Sequence, residues 1–304
     1  MDFGVDESFE KAAQKVREHY GIEVPGSRIR RVTLKHGEQL LENQQLLEVI
    51  PEGRGPDWII AEVDGCMVPM VTPTEGEALD RRKSRHLDWQ EVRLALAHPW
   101  GSRTPVYGAT SGDVEAAGQQ LLHCVIRAGA RSTSRIHGVG DGAAWIRDQV
   151  EDKLGLQAQF TVDFFHVSEY LAQAAEICRP QNQKLWLQQR QEELRTNQPL
   201  RVLDALVEHL ERAPQPDQDT PVADCYRYIE KRLDQLDYQG ALEKGLPIGS
   251  GEIESGHRSV IQDRLKIPGA WWKKENVDKM LVLRTCRANQ EWSDYWKSES
   301  KMAA

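Results

Sequence analysis

The chain has 304 residues, 39% hydrophobic and 28% charged, with a formal net charge of −8. That content suffices for a folded core and two or three modules, while no run is apolar for long enough to span a bilayer and the N-terminus lacks a basic-then-apolar leader pattern, so a cytoplasmic protein is expected. Cys66, Cys124, Cys178, Cys225 and Cys286 are scattered without a Cys-x-x-Cys pair, which fits reduced thiols rather than a disulfide frame or a zinc site.

Residues 8–50 read as three helices. Phe9, Ala12, Ala13, Val16 and Tyr20 follow helical spacing, and Gly21-Ile-Glu-Val-Pro-Gly26 breaks it. Ser27 is placed to cap a second helix, and Gly37 to stop it. In that helix Ile29, Val32 and His36 share one face, beside a basic stripe of Arg28, Arg31 and Lys35. Residues 1–50 therefore read as a helical, helix-turn-helix-like DNA-binding segment, the alternative being a hairpin that only packs on its neighbour.

Pro51-Glu-Gly-Arg-Gly-Pro56 is a linker signal. Beyond it a first strand is expected over Trp58–Asp64, a turn at Gly65-Cys66, a returning strand over Met67–Val71, and a third strand over Trp89–His98. Residues 72–88, with the basic cluster Arg81-Arg-Lys-Ser-Arg85, read as a hairpin tip. A helix (113–128), a strand (134–141), a helix (143–154), a strand (158–163) and a helix (167–178) complete a first core segment at 57–179. Three meandering strands followed by two crossover units make a mixed α/β sheet of ribonuclease H-like order. Residues 180–245 carry helical spacings only and read as an all-α insertion, with an exposed loop at 213–221. Residues 246–304 bring the closing core helix and basic C-terminal helices.

Asp64 and Asp141 each end an apolar run and are followed by glycine, the usual setting of a carboxylate at a sheet edge. Gly249-Ser-Gly-Glu-Ile-Glu-Ser-Gly256 surrounds two more acids, Glu252 and Glu254, with glycines, and Arg258, Arg264 and Lys266 follow. Asp64, Asp141 and one of these glutamates are expected to converge on divalent metal, the arrangement that phosphodiester chemistry needs. On a regular helix Glu252 and Glu254 point about 200° apart, so one of them faces the aspartates, and Arg258 lies one turn after Glu254. Between Ser255 and Ala288 eight Lys/Arg stand against three acids, a local positive footprint for DNA within an acidic chain. Asp163 and His166, just past the last strand, are expected to support the site; the plainer alternative is a helix-capping aspartate beside a partly buried histidine.

Asp64-Gly65, Gly140-Asp-Gly-Ala-Ala-Trp-Ile146, Asp163-Phe-Phe-His-Val167 and Gly249-Ser-Gly-x-x-Glu254 together resemble the motif set of DDE-type insertion-sequence transposases, closest to the ISKra group and more distantly to Mutator-like elements. The resemblance implies a ribonuclease H-like core with an all-α insertion. It selects Glu254 as the third metal ligand beside Asp64 and Asp141, with Asp163 and His166 as an auxiliary pair. It also implies two Mg²⁺ ions, which Mn²⁺ can replace, element-end and target DNA as partners, a homo-oligomer on DNA and a nucleoid location. Such transposases usually carry more N-terminal sequence, so the alternatives are an inactive or truncated DNA-binding remnant and a nuclease without strand transfer. A helical interaction protein with surface acids is the rival from another class.

Overall fold

The computed structural model describes residues 1–73, 85–211 and 219–302. The basic cluster at 81–85, apart from the backbone of Arg85, and residues 213–218 of the loop at 213–221 lie outside them. Two compact units are present, Met1–Ser134 with Gly251–Ala304, and Arg135–Ser250. Both mix or contribute to an α/β architecture whose strands are antiparallel in the first unit and parallel in the second. No described helix is long and apolar enough to cross a membrane.

The first unit holds α1 (Asp2–Asp6), α2 (Phe9–Tyr20), α3 (Gly26–Asn43), β1 (Trp58–Pro73), β2 (Arg85–Pro99), β3 (Val106–Thr110) and α4 (Val114–Arg127). After the second unit it resumes with α11 (Gly251–Gly256), a π-helical segment (His257–Gln262), α12 (Asp263–Leu265), α13 (Lys274–Ala288) and α14 (Trp292–Met302).

Helix α2 starts where Ser8 accepts the Lys11 N–H and ends on left-handed Gly21. Helix α3 departs from the expected pattern. It begins at Gly26 behind Pro25 rather than being capped by Ser27, and it runs through Gly37 to Asn43. Gly37 allows close approach instead of termination: a Cβ there would lie 2.3 Å from the Lys279 carbonyl oxygen of α13. The buried face is accordingly Gly26, Thr33 and Gly37, while Val32 is exposed. The hairpin thus packs within its own unit, with Arg28, Arg31 and Lys35 on its exposed side.

Strand β1 also differs from expectation. Its residues pair continuously with β2, from Ile59↔Pro99 to Pro73↔Arg85, so Gly65-Cys66 is strand and not a turn, and Met67–Val71 continues β1 instead of returning beside it. The local turn preference of Asp-Gly yields to the ladder. Gly65 is accommodated because the Glu91 carboxylate occupies the space of a side chain, 2.2 Å from where a Cβ would stand. Trp89–His98, expected as a third strand, belongs to β2, the second, and the third is β3, which pairs with β2 from Arg93↔Thr110 to Ala97↔Val106. Leu121, Leu122, Val125 and Ile126 of α4 are buried as their spacing predicts. A core of Val68, Met70, Val92, Leu94 and Leu96 meets Ile253, Val260, Ile261, Leu265, Trp272 and Met280. The return segment is therefore held to the sheet by apolar burial, at roughly 25 cal/mol per Å².

The second unit contains β4 (Arg135–Gly140), α5 (Ala144–Leu154), β5 (Ala158–Val162), α6 (Phe164–Cys178), α7 (Gln183–Arg195), α8 (Pro199–Val207), α9 (Pro221–Glu230) and α10 (Tyr238–Glu243). Strands β4 and β5 are parallel, from Ile136↔Ala158 to Gly140↔Val162. Helix α6 starts three residues before its expected position because the Asp163 carboxylate caps it. One core joins Val162, Phe164, Val167 and Leu171 to Leu194, Leu203, Val222, Ile229 and Tyr238, so helices α7 to α10 are packed on β5 and α6.

Candidate functional site

In the first unit the site grows from alternate residues of β1. Glu62 and Asp64, two apart, share a face of the strand. Glu62 is buried and its Oε2 accepts the Ile253 N–H at 2.8 Å. This satisfies one of the N–H groups that a helix start leaves without a partner and sets α11 against the strand. One turn later His257 is buried, with Nε2 3.3 Å from Asp64 Oδ2. Asp64 Oδ1 accepts the N–H of Gly65 at 2.7 Å. Burial works against a charged His257 ring, but Asp64 and the Cys66 sulfur outweigh it and hold its pKa up, at about 9. Helix and strand are thus matched at two steps, 253 with 62 and 257 with 64.

Glu252 and Glu254 occupy the first turn of α11. Glu252 does more than the expected N-terminal acid, since its Oε2 lies 2.7 Å from Nε2 of buried His98. The other ring nitrogen of His98 faces the Pro99 carbonyl oxygen at 2.9 Å. Burial disfavours the imidazolium, yet Glu252 and that carbonyl raise its pKa. Glu254 is exposed. Gly256 lets the helix lie close: a Cβ would come 2.9 Å from the Tyr107 ring and 3.0 Å from Leu94.

The regular helix expected beyond Glu254 is replaced at His257–Gln262 by a π-helix, which alters the phase of every later side chain. Arg284 of α13 supports the wider turn by donating to the carbonyl oxygens of Val260, at 3.0 Å, and Ser259. The same guanidinium pairs with Asp6.

In the second unit Asp141 and Asp163 follow directly on the paired ends of β4 and β5, and the Asp163 N–H donates to the Gly140 carbonyl at 2.7 Å. The Asp141 Oδ1 accepts the Ala143 N–H at 2.8 Å. Its backbone is gripped by α9 and the turn after it: the Tyr228 hydroxyl donates to the Asp141 carbonyl, and Arg232 Nε and Nη2 donate to the Gly142 carbonyl at 3.0 and 2.7 Å. Gly142 has φ +83°, and a Cβ would lie 2.6 Å from the Tyr228 oxygen. The glycine after Asp141 thus meets both a conformational and a spatial demand.

Asp163 is 2% exposed. Its Oδ1 accepts the N–H groups of Phe165 and His166, at 2.6 and 3.3 Å. Its Oδ2 accepts the Ser250 N–H and hydroxyl, at 2.7 and 2.6 Å. The Phe164 N–H donates to the Ile248 carbonyl at 2.8 Å, and Gly249 passes where a Cβ would be 2.7 Å from the Phe165 ring. The Gly-Ser-Gly turn is therefore fastened to the start of α6, the capping alternative for Asp163. His166 is partly exposed, with Nδ1 3.7 Å from Glu169.

Of the residues expected to bind DNA, Arg258 is exposed and Lys266 partly so. Arg264 is a correction. It is 1% exposed, its guanidinium lies 4.6 Å from the Phe9 ring centre and 4.8 Å from that of Trp272, and it donates to the Gly4 carbonyl. Burial lowers its pKa to about 10. A charged residue enclosed by two rings serves packing and is not presented to phosphate.

The structure thus assembles Asp64 and the Glu254 helix in one unit, and Asp141, Asp163 and His166 in the other. Glu62, His257, Tyr228, Arg232 and Ser250 had no assigned role in the sequence. Glu62, a charge two residues before Asp64 in an apolar strand, and Ser250, within the Gly-Ser-Gly motif, carried a local signal. No match was found among curated proteins. Residues 127–299, more than half of the chain and including Asp141, Asp163, His166 and Glu254, match the model described as Uncharacterised protein family (UPF0236), and the chain belongs to that family.

Proposed function

We propose that this chain is a DNA transposase of the DDE type, built on a ribonuclease H-like core, with Asp64, Asp141 and Glu254 holding divalent metal. The observation that carries the proposal is the docking of the Glu254 helix on the Asp64 strand through Glu62–Ile253 and Asp64–His257. The element order supports the core assignment: an antiparallel meander β3-β2-β1, then helix, strand, helix and a parallel strand.

The donor set suits Mg²⁺ or Mn²⁺, because carboxylate oxygens are hard ligands. Asp141 Oδ2 has no hydrogen-bond partner among the described residues, and Glu254 is exposed, so both can take up a cation. The chemistry that such ions supply when bound is activation of a water or a 3′-hydroxyl and neutralisation of the leaving oxygen. The chain's own part is orientation. Glu62 sets the helix, His257 restrains Asp64, and Tyr228 with Arg232 fixes the Asp141 turn. Asp163 secures the turn before α11, with His166 beside it as auxiliary. Arg28, Arg31, Lys35, Arg258 and Lys266 contribute phosphate contacts, and the enzyme acts as a homo-oligomer on the DNA of the nucleoid.

The test is Mn²⁺-dependent nicking and strand joining on a plasmid carrying the DNA that flanks the gene. Cleavage that disappears in Asp64→Asn and Asp141→Asn proteins of unchanged melting temperature supports the proposal. Cleavage retained by either variant removes that residue from the site.

A further inference from the structure

The first unit contains a cavity of about 380 Å³, within the size range of small-ligand sites, roughly 300–1,000 Å³. Phe9, Arg30, Trp271, Trp272, Lys273 and Asn276 line it. Trp271 is 38% exposed, and its indole has neither a ring neighbour nor a hydrogen-bond partner among the described residues. Asn276 is 8% exposed, and its amide also has no partner among them. An amide that lines a cavity without a protein partner is open to water or to a ligand. The cavity also borders the start of α13, where Lys273 stands at the N-cap without a side-chain capping bond. Arg30 is exposed and has no ion-pair partner among the described residues.

We infer that this cavity receives one unstacked nucleotide of bound DNA, an inference that rests on the DNA-processing function proposed above. An open indole face suits a base, since aromatic stacking accepts any base. The Asn276 amide offers one donor and one acceptor, the pair that matches the edge of adenine. Arg30, with the N–H groups of Lys274 and Glu275 at the α13 terminus, suits the attached phosphate, while Lys273 is shared with Glu275, whose Oε1 lies 3.6 Å from its Nζ. An acidic peptide would use the cations and leave the indole and the amide unsatisfied.

The experiment uses the full chain without divalent metal and two fluorescent DNA hairpins that differ only by one unpaired adenine. Anisotropy should show the hairpin with the extra adenine bound about tenfold more tightly, the scale of one base–aromatic stack. Trp271→Ala should abolish that preference while leaving affinity for the fully paired hairpin unchanged, and Trp271→Phe should retain most of it. Asn276→Leu should lessen the preference for adenine over an unpaired cytosine. Equal binding of the two hairpins by the wild-type chain, or a preference that survives Trp271→Ala, overturns the cavity assignment and leaves the DNA function standing. Failure to bind either hairpin overturns both.

Discussion

The Asp163 carboxylate holds Ser250 by two bonds at once, from the backbone N–H at 2.7 Å and from the hydroxyl at 2.6 Å. The other oxygen caps α6, so one buried side chain closes both a helix start and the turn that leads into Gly251. Asp163→Ala removes the cap, worth about 0.5–2 kcal/mol, and strands two buried donors, at about 1–3 kcal/mol. A stability loss of roughly 1.5–5 kcal/mol is expected in urea denaturation. Asp163→Asn, which keeps an acceptor at the cap, should lose less. Equal stability of wild type and Asp163→Ala would contradict this role.

Glu252 and Glu254 should separate cleanly. Glu254→Gln is expected to reduce metal-dependent cleavage by about 100-fold or more, since even residues behind the ligands cost 10–100-fold. Its melting temperature should not change. Glu252→Gln weakens the partner of His98 and should lower the melting temperature while leaving most cleavage. The reverse pattern would assign the metal-binding role to Glu252.

Tyr228→Phe takes away the donor to the Asp141 carbonyl and nothing else. Cleavage should fall about tenfold through a weaker apparent affinity for Mn²⁺, the cost of disturbing a residue that orients a ligand. A Mn²⁺ titration of the cleavage rate distinguishes this from general destabilisation, in which saturating metal would not restore the rate.

His137 gives the second unit a dependence on acid. Its Nε2 lies 2.7 Å from the Pro247 carbonyl and its Nδ1 2.9 Å from the Gln159 side-chain nitrogen, an arrangement that suits a neutral ring. Burial lowers its pKa, with Lys244 acting in the same direction and Asp237 and the Pro247 carbonyl against it. The unfolded chain therefore takes up the proton first as pH falls. Its stabilising share is complete above the ordinary histidine value near 6.5 and is lost as pH falls towards the depressed folded value. Urea midpoints between pH 7.5 and 5, compared with those of His137→Gln, should show a shallower slope in the variant.

Helix α4 was legible because cap and period agreed, helix α5 from its position between two strands, and strands β4 and β5 from their apolar runs. Asp64, Asp141 and Asp163 could be singled out from their positions at apolar runs. What remained hidden depended on distant partners. Gly65 looks like a turn until Glu91 fills its space, and Gly37 looks like a helix stop until Lys279 approaches it. Arg264 looks like a surface cation until Phe9 and Trp272 enclose it. The π-helical stretch after Gly256 has no local signature, since Arg284 supplies its support from another helix.

The bond from His137 to Pro247 has a consequence for modularity. His137 lies near the first residue of the second unit and Pro247 near its last, so the ends of that stretch are clasped together from within. A stretch whose entry and exit already meet loses little chain entropy when joined to a foreign host or closed on itself. The entry and exit of residues 135–250 are thus held close, so that this stretch can interrupt a chain without a long connection.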